Sequence, residues 1–255
     1  SAFLGLTALA IYQNYYYIVT AIIGFVAVIF SACTAGIGNS LIVETKEKNY
    51  GDLVKFTYII VWIAGFCSCC LLCLYQTFME IWVGKELMLG FSAVICFTIY
   101  YFVYEINALL NLYKDAGGIW HKDRFRPLIT ALSNLILNLI LVNFIGIYGV
   151  LLSTVLTMLF IGMPWLIHNL FSEIFKCDYK KYVFKLFKYV CIISGISIIC
   201  YILTNLISTV SILSLIGKGI ICFVVFNALF LLLSYKSKEF AETKILIKKI
   251  LKIER

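Results

Sequence analysis

The sequence predicts an all-α membrane protein that crosses the bilayer seven times, and three observations carry that prediction. The 255 residues are 63% hydrophobic and only 13% charged, whereas charged residues make up about a quarter of an ordinary globular domain. The apolar residues gather into seven runs, each near the roughly 20 residues that a spanning helix needs. The basic residues lie almost wholly in alternate gaps between those runs. A water-soluble chain could not cover its surface with so few charges, so lipid is the solvent for much of this one. Only two prolines occur, Pro127 and Pro164, which permits long uninterrupted helices.

Taken in order, the runs cover about 11–38, 54–76, 88–112, 127–146, 148–171, 187–207 and 212–234. The fourth and fifth meet at Gly146-Ile147-Tyr148-Gly149, which has room only for a tight hairpin at the membrane edge. One set of alternating connections holds Lys46, Lys48 and Lys55, then Lys114, Lys122, Arg124 and Arg126. It continues with Lys176, Lys180, Lys181, Lys185 and Lys188, and ends in the lysines and Arg255 of the tail. Of 21 basic residues, only Lys85 and Lys218 are left for the opposite face. The asymmetry predicts a plasma-membrane protein with its C-terminus cytoplasmic and its N-terminal end outside.

The chain divides at about residue 235 into a seven-span membrane unit, 1–235, and a basic cytoplasmic tail, 236–255. In the tail Leu246, Ile250 and Ile253, with Ile247 and Leu251, mark one helical face, and lysines occupy much of the rest. That pattern predicts a helix on the anionic inner leaflet. The net charge of +8 does not point to nucleic acid, because the basic residues are spread between apolar runs. No secretory signal precedes the first span, and the chain opens at Ser1 without an initiator Met; the expectation is that an N-terminal part precedes it.

Polar residues inside the runs are the candidates for function, since a charge deep in a span costs several kcal/mol. Glu105 in the third span is the one carboxylate so placed; it either pairs with Lys114 or a neighbouring helix, or serves cargo or ion coupling. Tyr100, Tyr104, Asn107, Asn111 and Lys114 share its helix at alternating spacings of four and three, so they form one stripe. Thr130, Asn134 and Asn138 form a second stripe in the fourth span. Such amides either lock helix packing or line a hydrophilic cavity suited to a sugar-bearing cargo. Cys67, Cys69, Cys70 and Cys73 lie close together, as metal-binding thiolates do. No His or carboxylate completes a shell there, so they read as small packing residues and no metal site is expected. His121 and His168 read as interfacial. No nucleophile–base set, phosphate loop or carboxylate pair is present, so no catalytic residue and no enzyme activity are expected.

The block Tyr113-Lys114-Asp115-Ala116-Gly117-Gly118-Ile119-Trp120, followed by His121-Lys122-Asp123-Arg124-Phe125-Arg126-Pro127-Leu128, resembles the Wzx-type polysaccharide flippases. Those belong to the multidrug/oligosaccharidyl-lipid/polysaccharide exporter superfamily, whose members are MATE-like. Asn134, Asn138 and Gly146-Ile147-Tyr148-Gly149-Val150 continue the resemblance. So do Ala35-Gly36-Ile37-Gly38-Asn39-Ser40 and Tyr12-Gln13-Asn14-Tyr15-Tyr16 in the first span.

The resemblance implies one lobe, the C-terminal one, of a fourteen-helix transporter that moves lipid-linked oligosaccharide outward by alternating access. It implies an undecaprenyl-diphosphate-linked cargo for cell-surface polysaccharide, an N-terminal lobe as partner, and no cofactor, with proton or sodium coupling left open. Glu105, Tyr104, Asn107, Asn111, Asn134 and Asn138 are then candidates for the substrate cavity. Lys114, Lys122, Arg124 and Arg126 are candidates for cytoplasmic phosphate or lipid contact, against the plainer reading of positive-inside anchoring. A polytopic membrane enzyme of glycan assembly, a polymerase or glycosyltransferase, is the alternative; it calls for a sizeable catalytic loop, which the short connections do not supply. A seven-span receptor is excluded by the position of Asp123-Arg124-Phe125, beyond the third span, and by the absence of proline from the last two spans.

Overall fold

The computed structural model describes residues 5–250. Among them are seven helices long and apolar enough to cross a membrane and no strand; the chain is an all-α polytopic membrane protein. The first three spans are α1 (Gly5–Val43), α2 (Lys46–Val83) and α3 (Phe91–Ala116). A single turn, α4 (Trp120–Asp123), leads into α5 (Arg126–Ile145). The fifth span, Ile147–Phe175, contains α6 (Ile147–Thr157) and α7 (Met163–Leu170). The last two spans are α8 (Lys180–Asn205) and α9 (Ile212–Ser234), and α10 (Lys238–Ile250) follows.

The spans match the predicted runs in number and order, but the first two helices are much longer. α1 has 39 residues and α2 has 38, which at 1.5 Å per residue makes each about 57 Å long. That is nearly twice the hydrocarbon thickness of about 30 Å. Only Glu44 and Thr45 separate them. The Thr45 hydroxyl accepts from the Lys48 N–H at 3.3 Å, capping α2. Lys46, Lys48 and Lys55 therefore sit on a helix and not in a loop. An apolar run marks only the part of a helix in hydrocarbon, and Lys and Glu propagate it readily beyond.

α2 is the central element, packed against α3, α8, α9 and α10. Its polar side chains tie it to the last two spans. The Thr57 and Tyr182 hydroxyls are 3.0 Å apart, those of Tyr58 and Ser234 are 2.8 Å apart, and the Trp62 indole donates to Asn227 Oδ1 at 2.9 Å. Gly65 faces side chains of α8 and α9. A Cβ there would come within 2.6 Å of Ile193 Cδ1 and 3.1 Å of Phe226, so a small residue is what lets α8 and α9 seat on α2.

Two local devices shape the middle of the chain. Gly146 turns α5 into α6 with φ 59° and ψ −133°, a conformation open to glycine and hardly to others. Gly149 then brings α6 against α5: a Cβ would sit 2.5 Å from the Leu141 carbonyl carbon. Further along, Pro164 falls inside the fifth span, where its ring would clash with a carbonyl one turn back. The span absorbs it with a π-helical turn at Met158–Gly162, in which the Met163 N–H reaches Met158 O; such turns are the usual accommodation. A second π-turn, Phe171–Phe175, ends the span, and Lys176 closes it at φ 53°.

The basic connections meet at one end of the bundle. Lys122 pairs with Glu173 at 3.2 Å, Lys185 pairs with Glu239, and Leu246 lies in a cleft with Lys48 and Lys55. α10 is thus not a free surface helix. It docks on α2, with Thr243 buried and Phe240 packed on the core. The predicted tail positions beyond Ile250, among them Leu251, Ile253 and Arg255, lie outside the described residues. At the far end Tyr15 holds the α2–α3 turn: its hydroxyl donates to Gln76 Oε1 at 2.8 Å and accepts from the Leu89 N–H at 3.2 Å.

Gly146→Ala is expected to destabilise the protein by about 1–3 kcal/mol through its backbone conformation alone. Gly149→Ala is expected to cost more, because its methyl meets backbone that cannot rotate away. Gly24→Ala, with nothing within 4 Å of the new atom, serves as the neutral control. Thermal unfolding in detergent checks the order of the three.

Candidate functional site

The predicted stripe on α3 faces α1. Tyr104, Asn107, Asn111 and Asp115 line one side of a cleft of about 350 Å³, and Phe30, Ser31 and Thr34 of α1 line the other. Helical spacing puts the α3 residues in one column. The Ser31 and Thr34 hydroxyls donate to the Ala27 and Phe30 carbonyls of their own helix at 2.8 and 3.0 Å. The Asn111 amide nitrogen does the same to Asn107 O at 2.9 Å. Asn107 Oδ1 is buried and has no partner among the described residues. The cleft therefore offers hydroxyls on its α1 wall and phenol, amide and carboxylate groups on its α3 wall.

Its basic end is built on Asp123. This carboxylate is 3% exposed and grips Arg126 in two bonds, Nε to Oδ1 and Nη2 to Oδ2, both 2.7 Å. Asn169 of α7 donates to the same Oδ1 at 3.1 Å. The second Arg126 nitrogen also donates to Asn111 Oδ1 at 2.9 Å. Lys114 stands 3.9 Å from Asp123 and 2.6 Å from Asp115, with its ammonium 4.2 Å from the Trp120 ring centre, a cation–π distance. Planar bidentate pairing of this kind is the geometry arginine provides and lysine does not. One carboxylate so joins the end of α3, the α4 turn, the start of α5 and α7. Gly117 and Gly118, predicted as a turn, make the bend possible: Gly118 has φ +65°, and a Cβ at Gly117 would strike Ile174 at 2.4 Å.

The four basic candidates fall into two kinds. Lys114 and Arg126 are buried and held by carboxylates. Lys122 and Arg124 are exposed; Lys122 meets Glu173, and Arg124 lies 3.2 Å from His121 Nε2 and over the Phe125 ring. Sequence position alone did not separate them.

The second stripe is not brought to the first. Asn134 donates to the Thr154 and Thr157 hydroxyls of the α6 segment at 3.2 and 3.3 Å, an interhelical lock across the hairpin, and Asn138 is half-buried one turn on. Glu105 is apart from both. It is 1% exposed and shares a helix face with Tyr101 and Leu109, which are fully buried. Neither carboxyl oxygen has a partner among the described residues, and Lys114 is engaged elsewhere.

Sequence reasoning missed two features. Cys222 of α9 joins Cys69 and Cys73 of α2, with the three sulfurs within 4.8 Å of one another. Lys218, assigned by sequence to the outer face, is buried and donates to Thr77 Oγ1 at 2.9 Å. Both involve helices more than a hundred residues apart in sequence, so no local spacing signals them. An apolar cleft of about 440 Å³ also opens between α3, α7 and α8, with His168 on its rim.

Comparison of the chain with protein families, with curated proteins and with solved structures finds no match.

Asp123→Ala is expected to cost about 3–5 kcal/mol, since it leaves the buried Arg126 without its counter-charge. Lys122→Ala, at an exposed pair, is expected to stay within about 1 kcal/mol of the parent. Thermal unfolding in detergent, with membrane yield as a second readout, measures the difference.

Proposed function

We propose that this chain is one lobe of a membrane flippase that moves a lipid-linked oligosaccharide from the cytoplasmic to the outer leaflet. The polar cleft between α1 and α3 carries the reading. It is lined by the amides, phenol and hydroxyls that hydrogen-bond sugars, and one of its walls, the first span, is among the least buried of the seven. An N-terminal lobe closing over that side completes the cavity, as in transporters built from two repeats with the site at their interface. The block 113–150, on which the family resemblance rests, is the same segment that forms the Asp123 junction and the α5–α6 hairpin.

In this reading the basic end faces the cytoplasm, by the excess of lysine and arginine there. Lys122 and Arg124 are the exposed cations available to a lipid diphosphate or to anionic lipid, while Arg126 orients Asn111 at the mouth of the cleft. Glu105 is where proton or sodium coupling acts, as a carboxyl buried without a partner among the described residues.

The test is complementation with the full-length gene, following lipid-linked glycan from the inner to the outer leaflet. Depletion is expected to leave the glycan inside. Asn107→Leu is expected to lower transport about tenfold, the worth of one charge-neutral hydrogen bond, at unchanged membrane level. Glu105→Gln is expected to abolish the ion dependence of transport while leaving the fold intact. Unchanged translocation after depletion would sink the proposal.

A further inference from the structure

The described thiols converge in a way that packing does not require. Cys69 and Cys73 lie one turn apart on α2 and face Cys222 on α9, all three buried and free of disulfide. Cys200 of α8, also fully buried, neighbours the Cys69 thiol but lies outside this group of three. The sulfurs are within 4.8 Å of one another, and a tetrahedral zinc site with bonds of about 2.3 Å sets them about 3.8 Å apart. The observed spacing thus exceeds that of a zinc-bound set by at most about 1 Å. Cys222 is ten residues into α9, about 15 Å from its start, so the cluster lies near the middle of the span.

A second observation points to an anion at this place. Lys218 is four residues before Cys222 on α9, and Thr77, which holds its ammonium, is four residues after Cys73 on α2. The ammonium is therefore about one helical turn, roughly 6 Å, along the axis from the sulfurs. It is 8% exposed and forms no ion pair among the described residues. A hydroxyl alone is a poor partner for an ammonium in hydrocarbon. A metal held by three thiolates supplies the missing negative charge.

We propose that Cys69, Cys73 and Cys222 bind a thiophilic cation, with Lys218 as its counter-charge. Charge balance favours zinc(II): three thiolates leave one net negative charge, which the ammonium cancels. On binding, each S–H bond is replaced by an S–Zn bond, three protons pass to water, and no electron is transferred. The ion staples α2 to α9, and through Cys69 to α8. The site is independent of the transport reading, being formed by α2 and α9, neither of which lines the polar cleft.

The chain is purified in detergent under anaerobic reducing conditions and exposed to zinc(II) or to copper(I), then freed of excess metal. One zinc per chain is expected by elemental analysis, together with sulfur-to-metal charge-transfer absorption when cobalt(II) replaces zinc. Cys222→Ser is expected to lose both signals and Cys191→Ser, an exposed thiol, to keep them. Lys218→Met is expected to weaken zinc binding at least tenfold with the same cobalt spectrum. Retention of copper(I) in preference to zinc(II) overturns the assignment of the ion, and retention of neither by the parent chain overturns the site. That last result needs no variant, so a misfolded substitution cannot obscure it.

Discussion

Hydrocarbon neither donates nor accepts a hydrogen bond, and this decides where almost every polar side chain of the chain goes. The nearest partner is the helix itself. Thr57, Thr157, Asn143 and Asn227 each donate to the carbonyl four residues back. The next is a facing helix, as in the pairs Thr57–Tyr182, Tyr58–Ser234 and Asn134–Thr154. Among the groups that obtain neither are both oxygens of Glu105 and the Asn107 side-chain carbonyl, along with hydroxyls such as those of Tyr101 and Tyr113. The Lys218 ammonium obtains a facing hydroxyl but no counter-charge among the described residues. In water such groups would carry no information, because solvent would satisfy them.

The same constraint separates cations that the sequence presents as equals. Lys114, Lys122, Arg124 and Arg126 fall within 13 positions and all count toward the charge asymmetry. Two of them are desolvated and must be matched by carboxylates, which Asp123 and Asp115 provide. The other two stay in the aqueous layer, where an ion pair contributes little. A buried bidentate pair is weak as a source of net stability but exacting in geometry, and here it fixes the angle at which α5 leaves α3. The orientation signal and the structural junction thus reside in one loop.

What the sequence made legible follows from what is local. The number and order of the spans were readable because each is a contiguous apolar run, and the hairpin was readable because Gly146 and Gly149 are three residues apart. The true ends of α1 and α2 were not, since hydropathy reports immersion and not helix length. Helical spacing sets the residues of each Asn stripe on one side of its helix, but which neighbour each residue meets is a tertiary fact. Asn134 meets Thr154 and Thr157, whereas Asn107 meets α1. The docking of α10 on α2 was equally hidden, because a basic amphipathic helix has the same pattern whether its apolar face meets lipid or protein. The thiol cluster was read as packing from Cys69 and Cys73 alone, with the third sulfur supplied by α9.

These placements divide the bundle into a knitted half and a loose one. α2, α8 and α9 are joined by cross-helix hydrogen bonds, by the ring contacts of Tyr58 with Phe230 and Tyr189 and of Trp62 with Phe230, and by the converging thiols. α1 and α5 make far less use of such links. α1 leans on α3 through the aromatic contacts of Tyr12, Tyr15 and Tyr16 at one end, and α5 packs chiefly on α6. The first and fourth spans are also the least buried of the seven, whereas the third is among the most buried. The polar cleft therefore lies between the well-buried α3 and the lightly buried α1, and no residue of α2 lines it.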